Sequence, residues 1–224
     1  MDPLPIAAAA LATGALVAGA VPRVLRWLPE PVEGHGKTPY ADLGTPAFLL
    51  GCGLASCTAQ AISLVALPLR VQPLWTVLAV CGVLLAAIDA RTTWLPLRLT
   101  RIGWSVMVGA LATTALLGAP LPALLRTAAG AGLAGLFYLV VWALTRGGLG
   151  YGDVRFAPLL GAATAAASWE LLLWGILLGT VVGALHGTVL LLARRRGSFP
   201  YAPSMLAGPY LAALALHLLP GAGT

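Results

Sequence analysis

Apolar residues gather along the chain into eight runs, at about 4–21, 45–67, 72–89, 101–118, 127–145, 154–168, 170–193 and 203–219. A hydrocarbon layer about 30 Å thick takes roughly 20 apolar residues to cross as a helix, because backbone in lipid must satisfy its own hydrogen bonds. Most runs approach that length; the sixth is short, and its boundary with the seventh falls near Trp169 and Glu170. The pattern predicts an all-α polytopic membrane bundle of about eight helices, one transmembrane domain over residues 1–224. The polar stretch 22–44 is expected to be a loop too short to fold alone. Small residues at Gly175, Gly179 and Gly183 predict close helix packing. The tryptophans, 27, 75, 94, 104, 142, 169 and 174, mostly fall near run ends and are expected to act as interfacial anchors.

Composition agrees with a bilayer protein. Of 224 residues, 59% are hydrophobic and 9% charged, where a soluble domain has about a quarter charged. The net charge of +6 does not imply a nucleic-acid partner, since the basic residues sit in short clusters between apolar runs. Their distribution instead predicts orientation. Alternate gaps hold Arg23, Arg26, Lys37, Arg91, Arg98, Arg101, Arg146, Arg155, Arg194, Arg195 and Arg196, while the opposite set holds only Arg70 and Arg126. Positive residues collect in the cytoplasm. The N-terminus is therefore expected outside, with the loops near 22–44, 90–100, 146–153 and 194–202 inside. The first run is read as a retained helix rather than a cleaved signal, because Asp2 precedes it and its basic residues follow it.

Cys52, Cys57 and Cys81 form no C-x-x-C pair, so no zinc site, disulfide framework or other metal site is expected. No cofactor is expected either. The seven acidic residues are Asp2, Glu30, Glu33, Asp42, Asp89, Asp153 and Glu170. Asp89 and Asp153 each stand at the inner end of a predicted helix, at a common depth. Two neighbouring carboxyls share a proton, so that one activates a water while the other protonates a carbonyl. Beside the first, Pro96 stops any helix continuing through it. Beside the second, Gly147, Gly148, Gly150 and Gly152 offer backbone freedom and room for an extended peptide. Other readings stay open on these residues alone. Asp153 suits the cap of a helix beginning at Val154, Asp89 suits a solvated pair with Arg91 or Arg98, and intramembrane carboxylates also mark small transporters or channels. His186 and His217 read as packed histidines.

The segment "GLGYGDVR", Gly148 to Arg155, resembles the G-x-G-D signature of the type IV prepilin peptidases, which are membrane aspartyl proteases. "IDARTTWLPLRLT", Ile88 to Thr100, is similar to their first aspartate segment, and "FPYAPSMLAGPYLA", Phe199 to Ala212, to their closing segment. The resemblance spans roughly residues 75–215. It implies that Asp89 and Asp153 are the catalytic pair. The residues flanking them, Gly150, Tyr151, Gly152, Arg91, Arg155 and Pro96, are the expected substrate-contacting set, although Arg91 and Arg155 also suit a topology signal. The resemblance further implies prepilin or pseudopilin substrates, cleaved after a leader Gly at the cytoplasmic face of a bacterial inner membrane. Leu97 stands where the family has an aspartate after Leu-Pro. The tetracysteine insertion that accompanies N-methylation is absent, so methyltransferase activity is not expected.

Overall fold

The computed structural model describes residues 3–30, 38–194 and 199–219. Lys37, Glu33, Arg195, Arg196 and Asp2, used above for topology and for the acidic inventory, lie outside them. Eight helices occupy the described residues, with no strand: α1 Pro3–Trp27, α2 Pro46–Ala66, α3 Leu69–Thr92, α4 Leu97–Leu116, α5 Leu121–Leu144, α6 Tyr151–Ala167, α7 Trp169–Leu192 and α8 Ala202–Leu218. The bundle is all-α and multi-pass: α1 to α5 and α7 are each long and apolar enough to cross a membrane. The 17 residues of α6 and of α8 span about 25 Å each at 1.5 Å per residue.

Local chemistry sets the helix starts. Thr45 caps α2 by accepting from the Phe48 N–H (3.3 Å), with Pro46 at the first helical position. Pro96 and Pro120 precede α4 and α5, where their missing N–H costs nothing. A single residue, Ser168, separates α6 from α7, and its hydroxyl accepts from the Leu171 N–H (2.9 Å). The uncertain sixth boundary thus falls one residue before Trp169.

Three antiparallel pairs, α1/α2, α5/α6 and α7/α8, form the framework, with α3 and α4 between them. Each pair closes where glycine removes the side chain at the crossing. A Cβ on Gly14 would lie 2.6 Å from the Gly53 carbonyl oxygen. A Cβ on Gly161 would strike the Gly130 carbonyl, and one on Gly208 would strike the backbone of Gly175 and Gly179. Association in lipid relies on such backbone approach, since lipid tails are as apolar as the helices. The predicted packing role of Gly175 and Gly179 holds, and Gly183 lies beneath the Tyr201 ring.

Helix α6 is the central element, with Phe156, Ala157, Ala163 and Ala165 wholly buried. Its last carbonyls lack intrahelical partners. Arg126 supplies them: its guanidinium donates to the carbonyls of Ala165, Ala166 (2.8 Å) and Ala167 (2.9 Å). This corrects the reading of Arg126 as a loop charge; it lies in the second turn of α5 and caps α6, where the helix dipole also favours a cation. Arg126→Gln should cost about 2 kcal/mol, from charge-assisted hydrogen bonds lost at a half-buried helix end. Thermal unfolding in detergent measures this, and Arg126→Lys should recover only part of it.

Two further expectations change. Helix α1 runs through Pro22 to Trp27, so the loop begins at Leu28 rather than at residue 22. Trp75 is no interfacial anchor: it is fully buried, donates to the Ala163 carbonyl (2.9 Å) and meets Tyr210 edge-on at 5.2 Å. Helix α3 also contains a π turn at Leu78–Gly82, which accommodates one extra residue.

Candidate active site

The site lies at the end of the bundle that carries Arg91, Arg98, Arg146 and Arg155. Asp89 occupies the last full turn of α3. The helix ends three residues on, where Thr93 adopts a left-handed conformation (φ 57°) and its N–H bonds back to the Asp89 carbonyl. Helix termination therefore precedes Pro96, the residue expected to cause it. Pro96 instead opens α4, its carbonyl accepting from the Thr100 N–H (3.0 Å) and hydroxyl (3.1 Å).

Asp153 is the third residue of α6. The expectation of a cap for a helix starting at Val154 is corrected: α6 starts at Tyr151 with Gly150 as N-cap. The Asp153 N–H donates to the Gly150 carbonyl (3.0 Å), and the Gly150 N–H donates back to the Asp153 carboxyl. This reciprocal arrangement resembles a capping box. It fixes the rotamer of the carboxyl.

Asp89 and Asp153 are 5% and 6% exposed, so neither is a solvated surface charge. They lie within electrostatic reach of one another. The reading of Asp89 as part of a solvated loop pair with Arg91 or Arg98 does not fit, since Asp89 is buried within α3 rather than in the loop after it. Asp89 Oδ2 instead accepts from the Ala202 N–H (3.0 Å) at the start of α8. Three segments far apart in the chain converge here.

The glycines act mainly through space. Of Gly147, Gly148, Gly150 and Gly152, only Gly147 has a positive φ (84°). Gly150 and Gly152 have ordinary helix-entry backbone, which corrects the expectation of conformational freedom at these two positions. A Cβ on Gly152 would lie 2.9 Å from the Leu95 Cβ, and one on Gly150 would lie 3.1 Å from Asp153 Oδ2. Gly152 is the point at which the turn after Asp89 rests against the turn before Asp153. Gly152→Val should push the two turns apart and slow any reaction needing both carboxyls by about 10²-fold, the usual penalty for misplacement near 1 Å. Unchanged turnover, with the variant folded in the membrane, would count against this contact.

The remaining predicted residues lie around the pair with separate engagements. Arg155 places its guanidinium over the Tyr151 ring (4.6 Å), which meets Trp142 edge-on at 5.3 Å. Trp104 of α4 donates to the Arg155 carbonyl (3.0 Å). Arg91 is exposed at the end of α3. His186 packs against Phe199 at 4.9 Å, whereas His217 is exposed in the last turn of α8. In the nearby loop, Glu30 accepts from the Tyr40 N–H (2.7 Å). Burial and that carboxylate push the Tyr40 phenol up to about 12.

Two contributors escaped the sequence. The Ala202 amide is a backbone donor without side-chain signature. Tyr138, buried in α5, lies beside Tyr201 (ring centroids 6.3 Å) and within electrostatic range of Asp153. A lone tyrosine inside an apolar run gave no sign of this placement.

These features define a multi-pass membrane protein with two buried carboxyls juxtaposed at one end of its bundle. Residues 76–188, half of the chain, match the type IV leader peptidase family, and the chain belongs to that family. The matched region contains both aspartates. No curated protein and no solved structure matches the chain.

Proposed function

We propose that this peptidase is an aspartyl endopeptidase of prepilins or pseudopilins, with Asp89 and Asp153 as its catalytic pair. The observation that carries the reading is the convergence on one spot of two buried carboxyls, held by Gly150 and Ala202 amides and by the Gly152–Leu95 contact. The pair holds one proton between its two carboxyls. The ionised carboxyl takes a proton from a water, whose oxygen bonds to the scissile carbonyl carbon as the protonated carboxyl gives its proton to the carbonyl oxygen. The diol then collapses, breaking the C–N bond, with a proton passing to the leaving nitrogen. The products are a leader ending in a Gly carboxylate and a mature chain with a free amine.

The charge bias among the gaps supports an orientation with the basic end in the cytoplasm. In this reading the bundle lies in the lipid bilayer of a bacterial inner membrane with the site at its inner surface, a placement supported by the family match. Residues 1–224 act as one peptidase domain in this reading.

Coexpression with a pilin-like precursor tests the proposal, read by a gel shift and N-terminal sequencing. Cleavage after the leader Gly, lost in Asp153→Asn, is the expected result. Failure to cleave any such precursor, with the protein stably inserted, would overturn it.

A further inference from the structure

A groove of about 440 Å³ runs along the bundle between α2, α3 and α8. Its walls are small and apolar, among them Gly51, Ala55, Ala59, Ala86, Ala90 and Ala207. Gly51, Ala55 and Ala90 are exposed, so the groove opens sideways towards lipid. One end reaches the candidate site: Ala90 follows Asp89 in α3, and Pro203 follows Ala202, whose N–H holds the Asp89 carboxyl. From Gly51 to Ile62 the α2 wall is about 16 Å long, three turns of helix.

We propose that this groove seats the apolar helix of the membrane-inserted substrate, placing the chain just before that helix beside Asp89. The inference rests on the proposed function and adds where the substrate is held. A lining almost without hydrogen-bonding groups suits an apolar occupant, and a substrate chain seated there must satisfy its own backbone, which in lipid means a helix. Small walls let its backbone approach closely. The groove is too short to hold a whole span, so recognition reads about the first three turns next to the cleavage point.

Gly51 offers a position at which the groove can be filled without disturbing the fold. A Cβ there would meet nothing within 4 Å, so no contact inside the protein requires glycine. Gly109 provides a matched control: it is equally open but lines a second groove, between α3 and α4, which approaches Asp89 no nearer than Cys81.

The test compares cleavage of one membrane-inserted precursor by wild type, Gly51→Trp and Gly109→Trp. The groove assignment expects Gly51→Trp to be at least tenfold slower and Gly109→Trp to match wild type. Wild-type cleavage together with full activity of Gly51→Trp would overturn the groove while leaving the peptidase reading intact. If wild type cleaves nothing, the peptidase reading fails and the groove falls with it. If both variants are slow, a Gly51→Cys chain in which Cys52, Cys57 and Cys81 are replaced by alanine decides, oxidised with precursors carrying one cysteine in the first three helical turns. A disulfide to the precursor supports the groove; its absence, or a disulfide only between two copies of the enzyme, overturns it.

Discussion

Replacing Asp153 with Asn should lower precursor cleavage by about 10³-fold or more, and Asp89→Asn should do the same. Both variants should remain folded. An asparagine oxygen at 89 still accepts the Ala202 N–H, and one at 153 still accepts the Gly150 N–H. What is lost is the shared proton, since an amide neither accepts a proton from water nor gives one to a carbonyl at neutral pH. Two groups acting as a unit are not additive, so the double variant should be no slower than either single one. Cleavage by purified enzyme in detergent, with protein quantity matched, measures this. Residual activity above a tenth of wild type in either single variant would remove that residue from the pair.

The second large effect concerns stability. Gly208→Val should cost about 3 kcal/mol or more, because the added carbons meet the backbone of Gly175 and Gly179 rather than movable side chains. Separating α7 from α8 would also carry Ala202 away from Asp89. Gly187→Ala in α7 is the contrast: its Cβ would meet nothing within 4 Å, and the change should be neutral or stabilising by up to about 1 kcal/mol. Thermal unfolding of the two variants in detergent should separate them by many degrees. Equal midpoints would show that the α7/α8 crossing yields more readily than its geometry implies.

Hydropathy made the helices legible because each span is a long uniform run, and all eight predicted runs overlay observed helices. The ends were less legible. Helix α5 starts at Leu121 rather than near 127 because Arg126, a charge that argues against a span, is satisfied by carbonyls of a helix 39 residues further along. Pro22 likewise misleads, since α1 continues through it to Trp27. At the site, the two aspartates stood out because acids are scarce in this chain. Tyr138, the Ala202 amide and the Gly152–Leu95 contact depend on three-dimensional neighbours, which no local pattern encodes. Trp75 shows the same limit, since a tryptophan near a run end reads alike whether it faces headgroups or a buried carbonyl.

The π turn at Leu78–Gly82 bears on how α3 presents its residues. One additional residue taken up in a single turn rotates everything after it by about 100° relative to a regular helix. Before and within the turn, Thr76, Val77 and Val80 face the groove shared with α4; after it, Val83, Ala86 and Ala90 face the one shared with α2 and α8. An unbroken α-helix of the same sequence would bring Ile88 to the position that Asp89 occupies. The wide turn therefore works as a phase setting, turning an acid rather than an isoleucine towards Asp153.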